Sequence, residues 1–430
     1  MPNHCSLLDK SQAIAHAVQA RGGRALLVGG YVRDELLGLQ PKDADLEVYG
    51  LEAELLRDLL KRFGRVDCVG ESFRVYKLAW RSEGQRLELD ISLPRRDKKI
   101  GAGHKGFEVE GDPHASVEDA AMRRDFTVNA ILKDPLTGEI LDPFGGRADL
   151  ENKILRVVDA AHFAEDSLRV LRAVQFAARF EMQMETRSIE ICRAIDLSDL
   201  PCERIWGEWE KLLLKAPRPS QGLLLARELD VLSRLFPYLE SALARRGDEL
   251  CLTLNGTAQE KTNLPYPQQV TLMLAGLGTF LGWRGTTQLL DALNVHTLDG
   301  YNVRLAVIQL VGERKRISDW YRQEDTVSDR DFRFLSARVL PGLPRLMVRL
   351  AKARGQLNAA AWFNQQMEEL GIADAPPAPL LMGRHLLEMG FKPGPKIGEI
   401  TKQIYFQQLS GEIETFDQAK QAVQAILNYE

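Results

Sequence analysis

Two carboxylates, Asp43 and Asp45, stand two residues apart at the start of an apolar run, shortly after a glycine pair, Gly29-Gly30. Residues 26–28 are apolar and β-prone, the glycines break that run, and 32–39 has the spacing of one short helix. A turn at 38–42 then leads into a strand at 44–49. Side chains i and i+2 of a strand share a face, so Asp43 and Asp45 point the same way. Two hard oxygen donors on one edge suit Mg²⁺, which takes one or two protein carboxylates and completes its shell with water and substrate phosphate. The glycines let backbone N–H groups approach a triphosphate closely, and the helix behind them opens with its positive end nearby. A β-turn with two solvated acids uses the same residues, so this segment alone leaves both readings open.

Two later segments bear on the choice. Residues 123–130 read RRDFTVNA, two arginines and an aspartate entering an apolar, strand- or helix-like stretch. Residues 163–180 read FAEDSLRVLRAVQFAARF, with Leu168, Leu171, Val174 and Ala178 as the buried stripe of a helix. Asp166, Arg169 and Arg172 stand three residues apart and therefore lie along one neighbouring face. An Asp and an Arg held on adjacent turns offer an acceptor and donors to the edge of a base, and a second Arg can reach a phosphate. An intrahelical Asp–Arg salt bridge is the plainer use of the same residues.

Together these segments resemble the class II tRNA nucleotidyltransferases, the CCA-adding enzymes, and the bacterial poly(A) polymerases that share their head. The resemblance runs from about residue 24 to 215. It is carried by GGYVRDELLG, DAD at 43–45, RRDFTVNA, DPFGGRADLENKILRVV at 142–158, EDSLR at 165–169 and ERIWGEWEKLL at 203–213. The resemblance implies that Asp43 and Asp45 bind catalytic Mg²⁺ ions and that Gly30 and Arg33 contact the incoming triphosphate. It further implies that Arg124 and Asp125 handle phosphate and ribose, and that Asp166 and Arg169, assisted by Arg172, mimic Watson–Crick pairing with C or A. The implied activity is template-independent addition of CCA to the 3′ end of tRNA from CTP and ATP by two-metal phosphoryl transfer. Poly(A) synthesis, partial CC or A addition and an inactive RNA-binding homologue are the alternatives. The implied partners are the tRNA acceptor end and the two nucleotides, with no obligate protein partner.

Composition agrees with a globular chain. Of 430 residues, 45% are hydrophobic and 27% charged, and no run approaches the ~20 apolar residues of a membrane span. The N-terminal MPNHCSLLDK lacks the build of a signal peptide, so the cytoplasm is the expected compartment. Five cysteines, at 5, 68, 192, 202 and 251, never form a CxxC pair, which indicates neither a disulfide framework nor a zinc site. The net charge of −4 calls for a local basic track if nucleic acid is bound. Between Glu313 and Arg354 eleven Lys or Arg stand against six acids, interleaved with Trp320, Tyr321, Phe332 and Phe334. That segment is either a candidate acceptor-arm contact or an ordinary solvated helix face. None of the seven histidines precedes an Asp, so the HD phosphohydrolase motif of longer relatives is not expected in the helical stretch at 240–370.

Strand-like runs at 26–28, 46–49, 75–80 and 87–93 precede residue 160, and nearly everything after it is helix-periodic. The reading is α+β: a nucleotidyltransferase head with a mixed sheet like that of DNA polymerase beta, then an all-α remainder. The expected parts are a head at 1–159, a neck at 160–215, a body at 216–300 and a tail at 301–430, the last a candidate tRNA-binding region. Residues 92–120, rich in glycine and charge, are expected to form a mobile loop; the resemblance implies that it helps the site switch from adding C to adding A. Asp90 is either a third supporting carboxylate or a surface acid.

Overall fold

The computed structural model describes residues 6–41, 43–69, 75–82, 85–99 and 107–428. They divide into two compact units, Met1–Leu212 with Gln221–Leu235, and Leu213–Ser220 with Phe236–Glu430. The first holds a seven-stranded mixed sheet built from β1 (Arg24–Val28), β2 (Ala44–Tyr49), β3 (Val66–Val69), β4 (Val75–Ser82), β5 (Gln85–Ser92) and two short strands at Leu132–Lys133 and Ile140–Leu141. The spatial order is β3-β4-β5-β2-β1 and then the two short strands; only β2 and β5 run parallel. Apolar Leu27, Leu46, Val48 and Leu89 are fully buried, as are Ile14 and Val18 of helix α1 (Leu7–Gln19) and Leu56 and Leu59 of α3 (Ala53–Leu60). Helix α2 (Gly30–Leu36) follows β1 directly. It starts two residues earlier than the spacing predicts, because Gly29 caps it at φ +66° and Gly30 can continue as its first residue.

Two sequence readings change. Residues 127–129 of RRDFTVNA form a single 3₁₀ turn, with Phe126 bridged to Val157. The turn is held by DPFGG: a Cβ on Gly146 would stand 2.1 Å from the Thr127 carbonyl oxygen. Asp142 accepts hydrogen bonds from the backbone N–H groups of Gly146 and Arg147. The segment expected to be a loop at 92–120 contains a two-stranded antiparallel ribbon, 95–99 paired with 107–111, and a short helix at Val117–Met122. Backbone pairing makes such a ribbon independent of its polar composition; residues 100–106 lie outside the described residues.

Helix α7 (Leu168–Phe180) buries the expected stripe of Leu168, Leu171, Val174 and Ala178. Helix α9 is Cys202–Lys215. The second unit is helical throughout its described residues. Its long helices Pro237–Glu260 and Tyr266–Ala292 are kinked at Arg246 and Gly282, and three C-terminal helices close over Leu386, Ile400, Ile404 and Val423. In the segment at 313–354 the apolar residues turn inward, while none of its Lys or Arg residues is buried. Phe332 is buried and packs with Trp320, Trp362 and Phe363. Arg316 and Arg338 pair with Glu313, and Arg345 with Asp374 and Glu368. Ring packing and these ion pairs engage part of the segment, while Lys315, Arg322, Arg330, Arg338 and Lys352 are exposed.

Gly146→Ala is expected to destabilise the protein by about 1–3 kcal/mol, the usual cost of overpacking, because the neighbour it meets is backbone. Gly207→Ala, in α9 with open space around it, is expected to be neutral or stabilising by up to about 1 kcal/mol. Thermal unfolding of both variants checks this, and equal midpoints would refute the steric account.

Candidate active site

The carboxylate edge follows from strand register. Asp45 pairs across β1 with Val28 and across the parallel β2–β5 ladder with Asp90. Asp43 lies just before β2, and both it and Asp45 are exposed. Desolvation of its carboxyl group raises the pKa of Asp45, Arg124 opposes this, and the charges of Asp90 and Asp43 add to the rise. Crowded carboxylates of this kind are relieved by a cation. Asp90, the possible third carboxylate, accepts from Lys77 Nζ at 3.0 Å. Among the described residues no group of three or more His, Cys, Asp or Glu is arranged for a metal ion. Asp43 and Asp45 are hard oxygen donors, of the kind that a divalent cation takes in ones or twos while it fills the rest of its shell from elsewhere.

Glu47, two residues beyond Asp45 on the same face of β2, is buried. Its carboxylate accepts from Tyr49 Oη at 2.7 Å and lies 3.6 Å from Arg124 Nη2. That side of Arg124 is thus fixed. Its other edge reaches Gly29, where a Cβ would meet Nη1 at 3.1 Å and Asp45 Oδ2 at 3.8 Å. The glycine keeps open the floor between the acidic edge and the arginine.

Behind this floor runs a buried polar relay. Arg33 Nη1 donates to Asn129 Oδ1 at 2.6 Å, Asn129 Nδ2 donates to Asp125 Oδ1 at 2.9 Å, and Arg172 Nε donates to Asp125 Oδ2 at 2.6 Å. Burial alone would raise the pKa of Asp125, but Arg172 and Asn129 hold it below the ordinary carboxylate range. The relay links α2, the 3₁₀ turn and α7. Arg33 stacks over Phe180 at 4.4 Å and Arg172 over Phe176 at 5.0 Å, on two rings themselves stacked 5.8 Å apart.

The backbone N–H of Arg169 donates to the Asp166 carbonyl at 3.0 Å, but their side chains take other partners. Asp166 lies just ahead of α7, where its Oδ1 accepts from Leu168 N at 3.2 Å and its Oδ2 from Arg204 Nη2 of α9 at 2.9 Å. Arg169 donates to two backbone carbonyls, that of His162 and, at 2.8 Å, that of Arg123. Each anchor uses only part of the side chain's capacity, since a guanidinium has five N–H donors and a carboxylate several lone pairs.

Gly29, Gly30, Arg33, Asp45, Arg124, Asp125, Asp166, Arg169 and Arg172 line one cleft of about 550 Å³, within the range of small-ligand sites. Eight basic side chains line it against the carboxylates of Asp45, Asp125 and Asp166. A second cleft of about 330 Å³ shares Asp45, Arg123 and Arg124 and adds Glu47 and Asp90. With basic side chains in excess of carboxylates, the first can receive an anion. Asn129, Arg179, Arg204 and Lys211 also line it and were not singled out from the sequence. Arg179 alone had a visible signal, its spacing of seven residues from Arg172 along one helix.

Residues 25–156 match the Poly A polymerase head domain, and residues 180–243 match the probable RNA and SrmB-binding site of polymerase A. The multifunctional CCA protein of Vibrio vulnificus strain CMCP6 is 38% identical over 222 residues, which is 50% of this chain and 51% of that protein. The chain therefore spans about half the length of the curated relatives it matches. Two solved structures share the fold. The CCA-adding enzyme of Bacillus stearothermophilus in complex with CTP matches with a TM-score of 0.69 at 21% identity, covering 98% of this chain and 99% of that one. The Thermotoga maritima CCA-adding enzyme complexed with tRNA_CCA matches at 0.65 and 20% identity, covering 97% and 94%.

Asn129→Ala removes an acceptor from Arg33 and a donor from Asp125 together. Nucleoside triphosphate affinity, measured by calorimetry, is expected to fall roughly tenfold, about the 1.4 kcal/mol of one charge-assisted hydrogen bond. Unchanged affinity would show that the relay does not hold the arginines in place for a ligand.

Proposed function

We propose that this chain, whose N-terminal half belongs to the class II CCA-adding enzyme and poly(A) polymerase family, adds C, C and A in turn to the 3′ end of tRNA from CTP and ATP. The observation that carries this reading is a single cleft lined by Asp45 at one place and by Asp166 and Arg169 at another, with arginines between. Such a site can choose a base with protein groups alone, while a charged edge handles the phosphates.

In the reaction the primer's 3′-hydroxyl oxygen bonds to the α-phosphorus, the hydroxyl proton is lost, the α–β phosphoanhydride bond breaks and pyrophosphate leaves. Asp43 and Asp45 would hold the divalent cation, Mg²⁺ by its preference for such donors, which supplies Lewis-acid charge to the reacting phosphate when bound. Arg33, Arg124 and Arg172 supply fixed positive charge along the phosphates, a preorganised form of stabilisation. Gly29 and Gly30 leave room for the phosphates to pass close to the backbone. Asp125, with both oxygens engaged, acts by holding Arg172 in line. Asp166 accepts from, and Arg169 donates to, the base edge.

Within the chain we assign 1–159 to the catalytic head, 160–215 to a neck that carries base recognition, 216–300 to a body and 301–430 to a tail that meets tRNA. A tRNA substrate makes the cytoplasm the place of action; no helix among the described residues is long and apolar enough to cross a membrane. The match of 25–156 to the poly A polymerase head supports a second reading, repeated addition of A to an RNA end.

Purified protein incubated with Mg²⁺, labelled CTP or ATP, and tRNA ending at the discriminator base, C or CC is expected to complete CCA and stop. Long A tails would establish the second reading, and A addition confined to CC-ended tRNA would mean an A-adding specialist. Asp43→Ala and Asp45→Ala are each expected to cost roughly a hundredfold or more in rate, as for other charge-stabilising groups, with the fold retained. Turnover within tenfold of wild type would remove the metal assignment. Arg169→Ala is expected to lose roughly 1–3 kcal/mol of discrimination against GTP and UTP, read from relative kcat/KM; an equal loss for all four nucleotides would point to a purely structural anchor.

A further inference from the structure

Three guanidinium groups share the Phe176–Phe180 ring pair. Arg33 lies over both rings, Arg172 over Phe176 at 5.0 Å, and Arg179 over Phe180 at 5.0 Å. Two of them donate to carboxylates, Arg33 to Asp34 and Arg172 to Asp125. Arg179 instead donates to the neutral amide oxygen of Gln175 at 3.1 Å. It is half-buried and lines the same cleft as Gly30, Asp45 and Arg172. Burial and the charges of Arg33 and Arg172 push its pKa down, against the opposing charges of Asp34 and Glu208. Stacking on ring faces fixes the guanidinium planes and leaves edge N–H groups for bidentate contact, the geometry that suits phosphate oxygens.

Resting on the nucleotide reading of this cleft, we propose that Arg179, with Arg33 and Arg172, forms the slot that takes the terminal phosphates of the incoming triphosphate and holds the pyrophosphate released. Asp166 and Arg169 then serve the base, the edge of β2 serves the α-phosphate, and the ring-stacked arginines serve the leaving group. Arg179 is the member of the trio whose hydrogen bond goes to a neutral amide, which leaves its charge to meet an anion in the cleft. It discriminates by phosphate count, and is indifferent to whether the base is C or A.

The test is calorimetric titration of the full chain with inorganic pyrophosphate in EDTA, so that binding reports the side chains alone, for wild type, Arg179→Gln and Arg179→Lys. CMP is titrated in parallel. Arg179→Gln is expected to weaken pyrophosphate at least tenfold and Arg179→Lys less, with CMP affinity within twofold of wild type. In addition assays KM for CTP and ATP should rise by the same factor, and inhibition by pyrophosphate should weaken. Wild-type affinity for pyrophosphate in Arg179→Gln, or an equal loss for pyrophosphate and CMP in both variants, would overturn the slot. Pyrophosphate binding that depends on Arg179 in a protein that adds no nucleotide to any tRNA would uphold the slot and sink the catalytic reading.

Discussion

The buried carboxylate of Asp125 is the point on which the cleft depends. It takes a hydrogen bond from Asn129 on one oxygen and from Arg172 on the other, and Asn129 in turn takes one from Arg33. A buried charge is tolerated only when paired and hydrogen-bonded, so this arrangement admits few alternatives. Helix α7, helix α2 and the 3₁₀ turn must each bring its side chain to within about 3 Å of the next. The positions of the stacked rings, and of the arginines above them, follow from that requirement. Gly146 beneath Thr127 is part of the same constraint, because the turn that carries Asn129 rests directly on it.

How far the sequence reveals this depends on the kind of information involved. Alternation in β2 places Asp45 and Glu47 on one face, and the period of α7 places Arg169 and Arg172 together; both arise from backbone period alone. Period cannot say which neighbour claims a side chain. An Asp–Arg pair three residues apart suggests a bond between the two, yet Arg204, 38 residues from Asp166 and on another helix, takes Asp166, and carbonyls take Arg169. The relay through Asn129 spans residues 33 to 172 and has no local signature. The ribbon at 95–99 and 107–111 was hidden for the opposite reason: its pairing is made by backbone groups that every sequence possesses.

The basic segment of the second unit shows a further limit of composition. Eleven cations in 313–354 suggest a track for a polyanion, but a guanidinium is as useful for tying helices together as for meeting phosphate. Arg345 pairs with Asp374 and Glu368, acids contributed by a later part of the chain, and Arg349 and Arg354 donate to backbone carbonyls at Glu260 and Arg314. Counting charge within a window misses partners supplied from outside it. The aromatic residues between these arginines serve the core of the unit in the same way.

The anchoring of Arg169 separates what the protein must conserve chemically from what it can vary. Its guanidinium is aimed by the carbonyl oxygens of His162 and Arg123, groups present in any residue at those positions. The aim of the side chain is therefore stored in the path of the main chain, and the identities of the two side chains that flank it are free to serve other ends. An arginine oriented by two carboxylates could be redirected by a single substitution at either one. An arginine oriented by peptide groups keeps its direction through such changes and loses it only when the backbone itself moves.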